Sequence, residues 1–247
     1  MGNLHLGTIG WSYNFWKGKF YPNTVASKDF LAYYVTKFDT VEVDSTFYRI
    51  PTMQTVIKWE SQTPNNFLFS FKFPRVITHI KMLKNCERET NLFLERTNQF
   101  GKKLGASLLQ FPPNFAVDHF SDLAVFLQNL PKTRRYVVEV RDERWLNNDF
   151  YSLLRTNNVA LAWVDSPNMP LSKILTSDFL YIRLEGDRSK VKGTIGTIEA
   201  DKAEGLKMWS ENIKPWLKEN LTVYGYFGKY YSGYPPSDVN SLLKLLS

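Results

Sequence analysis

Apolar and polar positions alternate with a period of two in eight short runs along the chain, and nearly every run is followed by apolar residues at helical spacing. The first run, Leu4–Gly10, is entered directly from Met1-Gly2-Asn3 and opens into Trp11-Ser12-Tyr13-Asn14-Phe15-Trp16. A helix over Ser27–Phe38 follows, with Ser27 as N-cap and Phe30, Leu31, Tyr34, Val35 and Phe38 on one face. In the second run Val41 and Val43 alternate with Glu42 and Asp44 before Ser45-Thr46-Phe47-Tyr48-Arg49. A helix over Met53–Gln62 leads to the third run, Phe67–Pro74, where Phe67, Phe69, Phe71 and Phe73 alternate with Leu68, Ser70 and Lys72. The remaining strands are expected at Ala106–Phe111, Tyr136–Arg141, Val159–Val164, Phe179–Leu184 and Thr222–Phe227. Helices are expected at Arg88–Lys103, Ser121–Leu130, Asp149–Asn157, Ala200–Glu219 and Pro236–Leu246, with no more than one turn near Ser172–Leu175. Pro215 should kink or split the longest of them.

Eight β/α units with no linker between them predict an α/β fold, a single (β/α)8 TIM-like barrel over residues 1–247. An open doubly wound sheet would place Gly-x-Gly-x-x-Gly after the first strand. Here Gly10 runs into Trp11, which is too bulky for a pyrophosphate turn.

Alternate strand residues of a barrel face the helices or the lumen. The Val, Phe and Leu/Ile positions suit the helix side, which sends Glu42, Asp44, Ser70, Lys72, Glu139, Arg141, Arg183 and Glu185 inward. Gln110 and Asp165 stand at matching places on the fourth and sixth strands. All lie near the C-terminal ends of their strands, where TIM-barrel enzymes place their chemistry. An unpaired buried charge is expensive or neutralises itself, so these acids and bases are expected to form a network. The catalytic candidates are Glu42, Asp44, Lys72, Glu139, Arg141, Asp165 and Arg183, with Glu139 or Glu42 as general acid or base. Crowding by acids should raise the pKa of Lys72, the wrong direction for a Schiff-base nucleophile. Candidate substrate contacts are Trp11, Tyr13, Ser45, Thr46, Tyr48, Arg75, His79, Gln110, Trp145 and Glu185, the aromatic ones as a stacking platform. Trp16, Trp163, Trp209 and Trp216 read as core.

Charge narrows the partners. A net charge of +7 favours anionic ones, either phosphorylated small molecules or nucleic acid, although no Lys/Arg run is dense enough to form a nucleic-acid arm. The lone Cys86 excludes an internal disulfide and suits a reducing compartment. With no signal peptide and no long apolar run, a cytoplasmic protein without membrane contact is expected. Of three histidines only His79 falls at the upper face, which argues against a zinc cluster and a Ser-His-Asp triad. Mg²⁺ or Mn²⁺ on Glu42, Asp44, Glu139 or Asp165 stays open, as does the oligomeric state.

Motifs in order along nearly the whole chain carry a resemblance. They are Gly10-Trp11-Ser12-Tyr13 with Trp16 and Phe20-Tyr21-Pro22, Val41-Glu42 with Ser45-Thr46-Phe47-Tyr48, and Lys72 with Pro74, Arg75 and Ile77-Thr78-His79. They continue with Gln110-Phe111-Pro112-Pro113, Val138-Glu139-Val140-Arg141 with Trp145, Asp165-Ser166-Pro167 and Tyr181-Ile182-Arg183. Together they resemble the YecE-like family of uncharacterised proteins, domain of unknown function 72. The resemblance implies a TIM barrel and brings no established activity. This chain departs from the family pattern with Asp44 for a common Asn, Glu185 for a common His, and Phe227-Gly228-Lys229-Tyr230 for a Phe-Asn-Asn-His run. The first two changes add acid to the lumen. The functional expectation is an enzyme on a phosphorylated, sugar-containing or nucleic-acid-related substrate. The alternatives are a non-catalytic nucleic-acid or anion-binding barrel and a small-ligand sensor.

Overall fold

A computed structural model describes residues 2–247; Met1, part of the expected lead into the first strand, lies outside the described residues. The strands are β1 Leu4–Ile9, β2 Thr40–Val43, β3 Leu68–Lys72, β4 Leu104–Gln110, β5 Arg135–Glu139, β6 Val159–Leu161, β7 Trp163–Asp165, β8 Phe179–Gly186 and β9 Thr222–Tyr230. All pair in parallel, in the order β6-β5-β4-β3-β2-β1-β9-β8-β7. The two edges are halves of one expected strand. Leu161 pairs with Val138 on β5, the Ala162 amide still donates to the Val138 carbonyl, and Trp163 then pairs with Ile182 on β8. One stretch thus reaches both edges and leaves the barrel nearly closed, with nine strand segments where eight were expected.

The helices are α1 Phe30–Tyr34, α2 Met53–Ser61, α3 Glu87–Asn98, α4 Phe120–Asn129, α5 Asn148–Thr156, α6 Ala203–Lys218 and α7 Pro235–Leu246. Three expectations change and one weak segment is borne out. The first helix shrinks to a 3-10 turn at Ser27–Asp29 followed by the five residues of α1, and the Ser27 hydroxyl bonds Asn14 Oδ1 instead of capping. The third ends early, because Gly101 turns with φ +51° into a short 3-10 stretch ahead of β4. The sixth unit has no helix, in keeping with the weak pattern near Ser172–Leu175: Ser166–Ser177 runs as irregular chain, and Ile174 accepts a bond from the Trp163 indole at 3.1 Å. Pro215 does not split α6. It lies on the exposed face, where the carbonyl that its missing N–H leaves free can meet water.

Two apolar layers result. Val41, Val43, Phe69, Phe71, Phe73, Val138, Val140, Leu180, Ile182 and Leu184 face the helices within one large core, as the alternation requires. A second cluster fills the lumen, where small residues such as Ala106, Ala160 and Ala162 make room for Tyr181, Tyr224 and Tyr226. The Tyr226 hydroxyl bonds Thr40 Oγ1 at 2.7 Å and Ser70 Oγ at 2.8 Å. This layer fills the barrel beneath the charges at the C-terminal ends. No helix among the described residues is long and apolar enough to cross a membrane.

Gly186, at the end of β8, has φ +73°, and a Cβ there would lie 2.1 Å from the Tyr230 carbonyl oxygen. A left-handed backbone costs a non-glycine residue about 1–3 kcal/mol before any clash. Gly186→Ala should therefore lower unfolding free energy by at least that amount in urea titration; parental stability would show that the strand end is not held this tightly.

Candidate functional site

Arg183 projects from β8 into the centre of the upper lumen and is 2% exposed. Its Nε and one terminal nitrogen donate to the two oxygens of Glu42 on β2, each at 2.9 Å. Its other terminal nitrogen donates to Glu139 on β5 and to Glu185 on β8. Arg141 donates twice to the remaining oxygen of Glu139, at 2.9 and 2.8 Å, and to the second oxygen of Glu185 at 2.7 Å. The Tyr181 hydroxyl adds a bond to Glu42 at 2.8 Å. Every oxygen of three glutamates therefore has a donor, the condition under which buried charges persist. Burial alone would lower the pKa of Arg183, but Glu139, Glu42 and Glu185 outweigh it and hold the guanidinium well above its ordinary value. Burial pushes Glu185 up, and Arg183 and Arg141 overcome it to hold that carboxyl at about 2.

Above this floor is an open cavity of about 500 Å³, lined among others by Tyr13, Asp44, Tyr48, Lys72, His79, Gln110, Arg141 and Glu185. Arg188 and Lys229 stand at it with Tyr230, their cationic heads 4.9 and 5.0 Å from its ring centre. Lys72, at the end of β3, differs from the charges below it. Among the described residues it joins no ion pair, and its Nζ sits 4.1 Å from the centre of the Phe47 ring. Burial, then repulsion by Arg183, lower its pKa to about 8 against the pull of Glu139, Glu42 and Glu185. The expected rise is overturned because burial and the repulsion of Arg183 together outweigh the pull of the acids. Asp44 also has no side-chain partner within bonding distance among the described residues, and burial raises its pKa against Lys72 and Arg183. Burial, Lys72, Arg141 and Arg75 hold His79 down at about 4, so its imidazole is neutral at neutral pH.

A second cavity of about 470 Å³ adjoins the first across Tyr13, Asp44 and Tyr48, and Trp11, Ser45 and Trp59 line it. Trp11 is 8% exposed and meets Trp59 edge-on, so it presents an edge rather than a free face.

Other candidates lie elsewhere. Glu42 and Glu139 are below the cavity with their oxygens filled, so neither can act as general acid or base on a ligand above. Asp165 pairs in register with helix-facing Leu184, and its carboxylate accepts from the Trp209 indole of α6 at 2.8 Å; it points out of the lumen, while Val164 points in. Trp145 is fully buried, stacked on Phe115 at 5.5 Å and donating to the Phe115 carbonyl at 2.7 Å. Thr46 is buried and ties Val43 to Lys72 through their carbonyls, which shapes the turn and leaves no group for a ligand. Arg75 is exposed and lines neither cavity. Divalent-metal binding by the named acids does not fit. Glu42 and Glu139 are saturated by cations, Asp165 faces away, and no group of three or more His, Cys, Asp or Glu among the described residues could hold a metal. Arg188 was missed because β8 was read as ending at Leu184; its continuation to Gly186 brings the next loop over the cavity.

Comparison with known proteins agrees with this barrel. A family model described as "Protein of unknown function DUF72" matches residues 5–247. The chain is 32% identical to the UPF0759 protein YecE of Escherichia coli over 208 residues, covering 74% of this chain and 73% of that protein. It is 26% identical to the UPF0759 protein YunF of Bacillus subtilis over 172 residues, covering 66% and 59%. The crystal structure of a DUF72 family protein from Thermotoga maritima superposes with a TM-score of 0.83 at 25% identity, covering 99% of each chain. A D-psicose 3-epimerase of Clostridium cellulolyticum shares the fold alone, with a TM-score of 0.55 at 10% identity and 98% of each chain covered.

Removing Arg183 would leave three carboxylates without their shared cation. Arg183→Met should cost about 3–5 kcal/mol of stability by urea titration, the range for breaking a buried pair from one side. A variant within 1 kcal/mol of the parent, on the order of a surface pair, would refute a stabilising network. Glu185 has a folded-state pKa of about 2 against an ordinary 4.5. Its contribution is present above pH 4.5 and lost as pH falls toward 2. Glu185→Gln should therefore flatten the decline of the urea midpoint across that window.

Proposed function

The chain belongs to the DUF72 family, and from that premise we propose that it is an enzyme that binds a small anionic substrate, a phosphate or carboxylate compound, over the end of the barrel and works on it through Lys72. One observation carries this reading: Lys72 is an unpaired amine in a cavity whose floor has every carboxylate already paired. Structural ion-pair networks need no such member. An amine with a pKa near 8 is neutral in useful amounts around physiological pH and can accept a proton.

The surroundings support an anion rather than a cation. Arg188 and Lys229 at the cavity have no carboxylate partner among the described residues. One terminal nitrogen of Arg141 likewise has no protein acceptor among them. These donors would hold the anionic group, Lys72 would take a proton from the substrate, and Asp44 would return one. His79, as neutral imidazole, would donate or accept a hydrogen bond without adding charge. Glu42 and Glu139 would act one step removed, by fixing Arg183 and Arg141.

The test is a panel of phosphorylated and carboxylated metabolites, assayed for turnover with the parent and Lys72→Met, and calorimetry with inorganic phosphate at low salt. Turnover should rise with pH through about 8, as the amine loses its proton. The variant should lose this limb and about 10²-fold or more in rate, the usual size of a general acid–base contribution. Unchanged activity in Lys72→Met would exclude the role of the lysine. Phosphate binding with no turnover of any compound would leave an anion-binding barrel instead of an enzyme.

A further inference from the structure

We propose that Lys72 is a nucleophile that forms an imine with the carbonyl carbon of a small substrate bearing a phosphate or carboxylate group. The inference rests on the anion-binding reading above and assigns the Lys72 amine to bond formation, with proton removal passing to Asp44.

The geometry favours a bond-forming lysine over one that only attracts charge. Buried Lys103 is tied to protein oxygens: it reaches the Glu60 and Thr63 carbonyls and the Glu60 carboxylate. Lys72 has no such partner among the described residues. Its amine rests against the face of Phe47 in the cavity wall, which positions it without engaging its lone pair. Asp44, an acid with no side-chain partner among the described residues, stands in the same wall, so an amine and a carboxyl face one ligand space. Arg141, Arg188 and Lys229 border the same space and can hold an anionic group while a carbonyl meets the amine. A volume of about 500 Å³ accommodates a compound of a few carbons with one phosphate. Burial lowers the pKa of Lys72 and raises that of Asp44, which favours the neutral amine and neutral acid that imine formation needs.

The step balances without a redox partner. The Nζ lone pair attacks the carbonyl carbon, and the carbonyl π pair moves to oxygen. A proton passes from nitrogen to that oxygen, which gives a carbinolamine. Asp44 then protonates the hydroxyl, the C–O bond breaks, one water leaves, and the nitrogen lone pair closes the C=N bond. The product is an iminium beside the Asp44 carboxylate, which can next remove a proton from the adjacent carbon. The paired floor beneath exposes no free carboxylate oxygen to compete for the amine.

The test is reductive trapping. The protein is incubated with sodium borohydride and, separately, glyceraldehyde 3-phosphate, dihydroxyacetone phosphate, pyruvate or glyoxylate, and the adducts are mapped by peptide mass spectrometry. At least one anionic carbonyl should modify Lys72 at least tenfold faster than uncharged glyceraldehyde does, with inorganic phosphate suppressing the reaction. The phosphate and carboxylate arms identify which anion is accepted. Lys72→Arg, which keeps the charge, should lose this adduct, and Asp44→Asn should slow it. An adduct spread evenly over surface lysines, or none on Lys72 with any probe, would overturn the proposal. If calorimetry still shows phosphate binding in that case, the imine alone is wrong; if phosphate does not bind either, the anion site falls with it.

Discussion

Arg183 is the point on which the upper barrel depends. It is buried, it comes from β8, and it binds carboxylates from three strand positions around the lumen. Moving a guanidinium and glutamates out of water is costly, and attraction offsets that only when geometry is good and no lone pair is left over. Here Arg141 and the Tyr181 hydroxyl complete what Arg183 leaves. The tyrosine layer beneath excludes water and keeps the dielectric low, which strengthens each pair and raises the penalty for losing one partner. An apolar plug would have filled this space more simply. The choice of charge makes sense if the cavity above needs a floor of fixed potential.

That floor explains the state of Lys72, although the lysine touches none of it. Three glutamates lie close enough to raise its pKa, but they do not decide its direction. What remains is desolvation and the repulsion of Arg183, both of which favour the neutral amine. A count of nearby acids gives the wrong sign, because it leaves out burial and the neighbouring guanidinium.

The same distinction separates what was legible in the sequence from what was not. The barrel was legible because its two-residue alternation is physical: Phe69, Phe71 and Phe73 must face one way, and Ser70 and Lys72 the other. The convergence of Glu42, Glu139, Arg183 and Glu185 followed from that parity and a closed barrel. Asp165 escaped the rule because its position was matched by strand end rather than by alternation; counting from Ala160 and Ala162 through Val164 puts it outside. Trp145 and Thr46 were drawn to the site by their loops, but their polar atoms serve backbone carbonyls, a use that composition cannot reveal. The break of the sixth strand at Ala162 depends on which neighbours each half pairs with, which is a tertiary fact.

The positions where this chain departs from the pattern it resembles are informative for the same reason. Glu185 supplies one oxygen to Arg183 and the other to Arg141, so a carboxylate there locks both guanidiniums in one plane of contacts. An imidazole could not accept from both. Asp44, in contrast, accepts from no side chain among the described residues, and it faces the cavity beside Lys72. Of two added acids, one is consumed by the floor and one stays free above it. A carboxyl in that second position can exchange a proton where an amide could not. The unpaired carboxyl is therefore the one left open to a ligand, while the paired one fixes the two guanidiniums of the floor.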